Sequence, residues 1–184
     1  EYQRCLIASS VANTYEEAIK EWEVIDLEYH LDKDLISFSN RRRSHTGCTI
    51  RNLNTKITLG PFSQSGLKKL GNKDFKQQAA LIARLFNFKR DFDRGQRVAL
   101  NREYFSRYGL KLALEQKFLT QDEYEIAERL FCKNADQWTN AEHSLHFKLL
   151  KMHILPFIKA FLKERKAKLK DSIPFSETKA EIST

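Results

Sequence analysis

Ile36–Gly71, ISFSNRRRSHTGCTIRNLNTKITLGPFSQSGLKKLG, decides how this chain is read. Ser37 and Ser39 stand one residue apart. Cys48 opens the run Cys48-Thr49-Ile50-Arg51-Asn52, in which apolar and polar residues alternate as along a half-buried strand. Lys56 to Leu59 makes a second strand, joined to the first by the polar turn Leu53-Asn54-Thr55. Leu59-Gly60-Pro61 then leads into a helix from Gln64 to Leu70, with Ser63 at its mouth and Gly71 as its stop. With cysteine at Ser37, Ser39 and Ser63 beside Cys48, the stretch would read as a knuckle and a helix start, each supplying two ligands to one tetrahedral zinc ion.

Flanking residues extend the pattern. Ala18-Ile19-Lys20-Glu21-Trp22-Glu23, Ser37-Phe38-Ser39-Asn40, Cys48-Thr49-Ile50-Arg51-Asn52 and Leu59-Gly60-Pro61-Phe62-Ser63 follow the order of a helix with EWE, then C-x-C-G, then C-x-(I/L)-(R/K)-N, then V-G-N-x-C. Ala113–Thr120, followed by Asp122-Glu123-Tyr124, is similar to A-x-x-x-G-x-I-T-x-W-E-Y. In these segments, spread over residues 14 to 155, the chain resembles a family of small phage- and plasmid-encoded treble-clef, or zinc-ribbon-like, proteins of unassigned activity. The resemblance implies a treble-clef-like module and a mobile-element setting, and it supplies no activity. Three of the four ligand cysteines are serine here, and the alkoxide a serine ligand needs is far costlier than a thiolate at neutral pH. The chain as written is therefore expected to take no cofactor, and zinc only if these serines are substituted cysteines.

The 184 residues are 41% hydrophobic, enough for a core, and carry a formal net charge of +8. That balance favours an acidic partner, of which nucleic acid is the commonest, although acidic proteins and membranes also attract basic chains. Cys5, Cys48 and Cys132 are too few and too scattered for a disulfide framework, so we expect a reducing, cytoplasmic setting. No apolar run approaches the roughly 18 residues of a membrane span, so no membrane partner is expected. G-x-G-x-x-G, G-K-(S/T), G-x-S-x-G and H-E-x-x-H are all missing from the sequence. The acidic pairs Glu16-Glu17, Asp91-Asp93 and Asp122-Glu123 have capping and turn roles before catalytic ones, and an enzyme is not expected.

In chain order, residues 1 to 12 read as a short strand or an arm. Thr14-Tyr15-Glu16-Glu17 reads as a capping box that opens a helix to about Val24, with Tyr15, Ala18, Ile19 and Trp22 on its apolar stripe. Asp32-Lys33-Asp34 is a polar turn before the knuckle. From Asn72 the pattern is helical. Lys73 to Phe88 carries Phe75, Ala79, Ile82, Leu85 and Phe86 on one face, and Asp91-Phe92-Asp93-Arg94-Gly95 breaks it. Val98 to Tyr108 is read as a helix ending at Gly109, and Leu110 to Lys117 as a short one. Thr120-Gln121-Asp122-Glu123 and Thr139-Asn140-Ala141-Glu142 are two more capping boxes, the second opening a long helix with a kink or break at Pro156. The expected class is α+β: a hairpin and knuckle module within residues 1–71, a mainly helical domain at 72–170 and a tail at 171–184.

Candidate binding residues follow from charge. The arginine run Arg41, Arg42 and Arg43, with Arg51 and Lys56 on the hairpin and Lys68 and Lys69 on the helix, can neutralise several phosphates, and the competing reading is a solvated loop and face. Lys159 to Lys170 is either a phosphate-binding stripe or a solvated helix end. His45 with Cys48 offers two metal ligands of the four needed. His143, His146 and His153 share a helix face, as a metal or proton-transfer group or as half-exposed histidines. The first functional expectation is therefore a non-enzymatic nucleic-acid-binding accessory protein. The alternative is a protein-interaction factor docking through its helical half, on an aromatic patch of Phe86, Phe88, Phe92, Tyr104, Phe105 and Tyr108.

Overall fold

The computed structural model describes residues 2–29 and 46–175. The knuckle positions Ser37 and Ser39, the run Arg41–Arg43, His45, the turn at Asp32–Asp34 and the end of the tail lie outside the described residues. Within them the class is α+β, a small sheet with a β-hairpin accompanied by helices. The chain divides into two compact units, residues 1–79 with 165–184, and residues 80–164.

The first unit is built on a four-stranded sheet of order β1-β2-β3-β4: β1 Trp22–Tyr29, β2 Thr46–Asn52, β3 Ile57–Phe62 and β4 Ile173–Pro174. β1, β2 and β3 pair antiparallel, and β4 runs parallel to β3 through Ile57 and Thr58. β1 corrects the expected helix to Val24. The helix α2, Tyr15–Ala18, passes through one 3₁₀ turn, Ile19–Glu21, and the chain is extended from Trp22 onward. Thr14 donates to Glu17 at 3.1 Å but takes no backbone N–H of α2, so the expected box is half made. Strand pairing decides the issue, because Trp22, Glu23 and Val24 stand opposite Asn52, Arg51 and Ile50. A bulge between Val24 and Asp26 then lets both Val24 and Ile25 face the interior.

Residues Tyr2–Ala8 form a helix, α1, rather than a strand. Leu6 is completely buried, and the Tyr2 ring meets the Phe62 edge at 5.7 Å, so the apolar spacing here has period four and not two. A part-buried polar knot around the buried Asn52 ties this end to the hairpin. The Asn52 amide oxygen accepts from the backbone N–H groups of Asn54 and Thr55 at 2.8 and 2.9 Å, closing the turn. Its amide nitrogen donates to Ser10 and Glu21. Burial works against charge on Glu21, but hydrogen bonds from Val11, Asn52 and Ala12 outweigh it and hold the carboxyl below its ordinary value.

On β3 the register slips by one between the Cys48–Phe62 and Ile50–Leu59 pairs, so Gly60-Pro61 forms a bulge. Gly60 has φ +137°, and a Cβ there would lie 2.8 Å from the Cys48 carbonyl oxygen. After it comes α3, Gln64–Lys69, which starts as expected after Ser63; the Ser63 hydroxyl, read from the sequence as a former ligand position, caps the helix by accepting from the Gly66 N–H at 3.0 Å. Gly71, at φ +81°, ends the turn.

α4, Asp74–Asp93, runs on beyond Phe88 and ends within the expected break. It closes where Gly95 takes φ +72° and the Gln96 N–H reaches the Asp91 carbonyl at 2.9 Å. The second unit holds the rest of α4 with α5 Arg107–Glu115, α6 Gln121–Cys132, α7 Asn140–Leu149 and the start of α8 Leu155–Lys170. Residues 96–106 are not helical, and Gly109 lies inside α5, capped by Ser106, instead of ending a helix. The reason is close packing: a Cβ on Gly109 would stand 2.9 Å from Leu81 and 3.0 Å from Phe105. Both Thr120 and Thr139 make complete capping boxes. Pro156 is accommodated by one π-helical turn, Leu150–Ile154, just before α8, so the missing N–H is absorbed as a local bulge. The core of this unit gathers Leu81, Leu85, Phe88, Leu110, Leu130, Ile154 and Phe157, each at most 2% exposed.

Candidate nucleic-acid interface

The basic residues of the hairpin separate into two groups. Arg51 points into the face of the sheet that the end of α8 covers and is only 5% exposed. It stands opposite Glu23 in the β1–β2 register, with the Glu23 carboxylate at 4.0 Å and that of Asp171 at 3.9 Å, and its Nε has no hydrogen-bond partner. Lys56 reaches Asp171 at 2.7 Å, which holds that carboxyl below its ordinary value. The same face carries Lys168 on Glu23 at 2.9 Å and Arg165 on Asp26 at 3.1 Å. Burial pushes the Asp26 carboxyl up and the Arg165 guanidinium down, and each partner's charge opposes the shift. Lys56 pairs with Asp171 in the open, at 49% and 60% exposed, whereas Arg51 serves the sheet face as an internal counter-ion. Lys168, within the expected basic stripe of α8, does the same.

Lys68 and Lys69 are placed differently. They end α3, and with Lys73 and Lys76 at the start of α4 they put four exposed lysines against one exposed acid, Asp74, within residues 68–76. Their position at the C-terminal turn of α3 suits the helix dipole, and both side chains are open to water. Arg41, Arg42 and Arg43 lie outside the described residues.

Cys48 and Ser63 are the described members of the ligand set. Cys48 is fully buried, and burial pushes its thiol up to about 11, away from the thiolate that a metal requires. The Ser63 hydroxyl caps α3 and lies 3.0 Å from the Ser65 hydroxyl. Among the described residues no three of His, Cys, Asp or Glu gather as a metal-binding group.

Of the three histidines of the last helical stretch, His143 and His146 share the Trp138 ring, and His153 stands against other partners. His143 is exposed. His153 contacts the Phe118 carbonyl at 3.0 Å and Glu123 at 3.1 Å. His146 is buried, its Nε2 accepting the Leu100 N–H at 2.9 Å, and its pKa is lowered to about 4 by burial and then by His143 and Arg97. This last role gives no sequence signal, because the donor is a backbone group in a loop.

The expected aromatic patch is largely core. Phe88, Tyr104 and Phe105 are 2%, 7% and 1% exposed, whereas Phe92 is 43% exposed. Among the described residues no helix is long and apolar enough to cross a membrane. No protein-family model, curated protein or solved structure matches the chain.

Proposed function

We propose that this chain is a non-enzymatic nucleic-acid-binding accessory protein of mobile-element origin, acting in the cytoplasm. It meets the phosphate backbone through Lys68 and Lys69, together with Arg41, Arg42 and Arg43. The observation that carries this reading is the exposed lysine group at residues 68–76, in the same unit as a sheet face whose cations have acidic partners. Charge held at the surface is open to an outside anion, and the chain's excess of +8 makes that anion a polyanion. Kinship with treble-clef proteins belongs to the same proposal, supported by the hairpin that leads into a helix capped by Ser63. The buried Cys48 thiol and the capping hydroxyl of Ser63 favour a module that works without zinc. Three free cysteines suit a reducing compartment.

The test is binding to duplex and single-stranded DNA across a salt series, using the full chain, R41A/R42A/R43A and K68A/K69A. For every phosphate that a variant no longer neutralises, the slope of log K against log salt should fall by about 0.9 on duplex and about 0.7 on single strands, with all sequences weakened alike. Unchanged slopes in both variants, or no binding by the parent chain at low salt, would contradict the proposal.

A further inference from the structure

The second unit contains a pocket of about 800 Å³, within the roughly 300–1,000 Å³ that small-ligand sites span. Three parts of the chain wall it: the loop from Gln96 to Tyr104, the turn from Ala135 to Trp138, and α7 with the π turn that follows it. Its walls are held in place. His146 fixes the loop by accepting the Leu100 N–H, and the Tyr104 hydroxyl donates to Asp91 at 2.9 Å. The Trp138 ring lies against His146, with centroids 4.6 Å apart, and meets His143 edge-on at 5.3 Å.

Two features say what would enter. Among the described residues, Phe92 and Phe147 are the two exposed aromatic side chains, at 43% and 63%, and both line this pocket. Phe92 stacks one face on Phe88 at 5.9 Å and the Lys151 ammonium stands 5.9 Å over one face of Phe147, so each ring has one further face for stacking. The second feature is charge. Arg97 and Lys151 line the pocket, and Arg102 and Lys148, both exposed, adjoin its lining residues in the chain. The acids nearby are mostly committed: Asp91 to Arg90 and Tyr104, Asp93 to Lys89, and Glu142 to Lys133. Glu103 and Asp136 equal Arg97 and Lys151 in number within the lining, and Arg102 and Lys148 beside it tip the balance to positive. His146, neutral above about pH 4, adds no charge of its own.

We propose that this pocket takes an unstacked base of a single-stranded nucleic acid, stacked against Phe92 and Phe147, with Arg97 and Lys151 meeting the flanking phosphates. Aromatic faces interleaved with cations are what single-strand binding requires, since every base has a π-face and every linkage a charge. The inference rests on the phosphate-binding reading above and adds to it a preference for bases over bare backbone.

The experiment compares an oligothymidylate with an abasic phosphodiester of equal length at low salt, following both affinity and tryptophan fluorescence. The parent chain, F92A/F147A and W138F are compared. Both phenylalanines are exposed, and the Trp138 indole N–H has no hydrogen-bond partner, so these variants keep the fold. The parent chain should bind the oligothymidylate about tenfold more tightly than the abasic chain. That preference should vanish in F92A/F147A, and the fluorescence change on binding should vanish in W138F. Equal affinity for the two ligands in the parent chain, or a preference that survives F92A/F147A, overturns the base pocket while leaving phosphate binding in place. Binding of neither ligand at low salt overturns both.

Discussion

A single imidazole shows how tightly one residue can be bound to its surroundings. His146 accepts a backbone N–H and is shielded from water, so the native state keeps it neutral down to about pH 4, whereas the unfolded chain protonates it near 6.5. Between those values the unfolded state binds more protons, and stability must fall as the pH drops. The loss should begin near pH 6.5, reach roughly 3 kcal/mol at most and level off below about 4. Replacing His146 with alanine removes this component and leaves the Leu100 N–H without its acceptor, a cost of about 1–3 kcal/mol at neutral pH. Urea midpoints measured from pH 7.5 to 4 for both proteins give the difference directly. Parallel profiles would show that His146 titrates alike in both states.

At the scale of elements, the bulge at Gly60 and the ion pairs of the sheet face are the features most exposed to single changes. Gly60→Ala places a methyl 2.8 Å from the Cys48 carbonyl and 3.1 Å from the Thr49 Cα, with φ at +137°. Neither backbone atom can yield without unpairing β2 from β3, so we expect a loss of at least about 2 kcal/mol, read from denaturant midpoints. Glu23→Ala strips the acid from between Arg51 and Lys168 and leaves a buried guanidinium with Asp171 alone, at 3.9 Å. A loss of about 2–4 kcal/mol is expected, larger than for an exposed pair. A midpoint shift within the range of surface substitutions would mean that the Arg51 charge is not compensated by Glu23.

What could be read from the sequence at this scale was local. Helices start after Ser63, Thr120 and Thr139 because each capping hydroxyl needs only residues within three positions of itself. The turn Leu53-Asn54-Thr55 was legible for the same reason, although the part Asn52 plays in it depends on Ser10 and Glu21, distant in the chain. Trp22 was illegible as a strand residue. Its spacing from Tyr15, Ala18 and Ile19 fits a helix, and only pairing with β2 overrides that pattern. Gly109 reads as a helix stop until Leu81 and Phe105 are seen to require a residue without a side chain. The site failed similarly, since nothing local tells that Arg51 is buried or that it and Lys56 meet Asp171, which lies more than a hundred residues later.

For the molecule as a whole, the question is where its surplus positive charge is spent. In the first unit, cations on the sheet face are balanced by Glu23, Asp26 and Asp171, while the lysines of residues 68–76 are exposed. In the second unit, Lys89, Arg90 and Lys133 have acidic partners, and the exposed Arg97 and Lys151 line an aromatic pocket. In each unit, then, some cations stand against acids and others are exposed, and it is to the second group that we assign the proposed contact with a polyanion. The most direct measurement is the salt dependence of single-strand binding by two variants beside the parent chain: K56A, which removes a lysine paired with Asp171, and K68A/K69A. K56A should keep the parent slope, while K68A/K69A should lower it by about 0.7 for each phosphate left without its lysine. An equal drop in both variants, or a drop in K56A alone, would contradict the assignment of Lys56 to the fold and of Lys68 and Lys69 to phosphate.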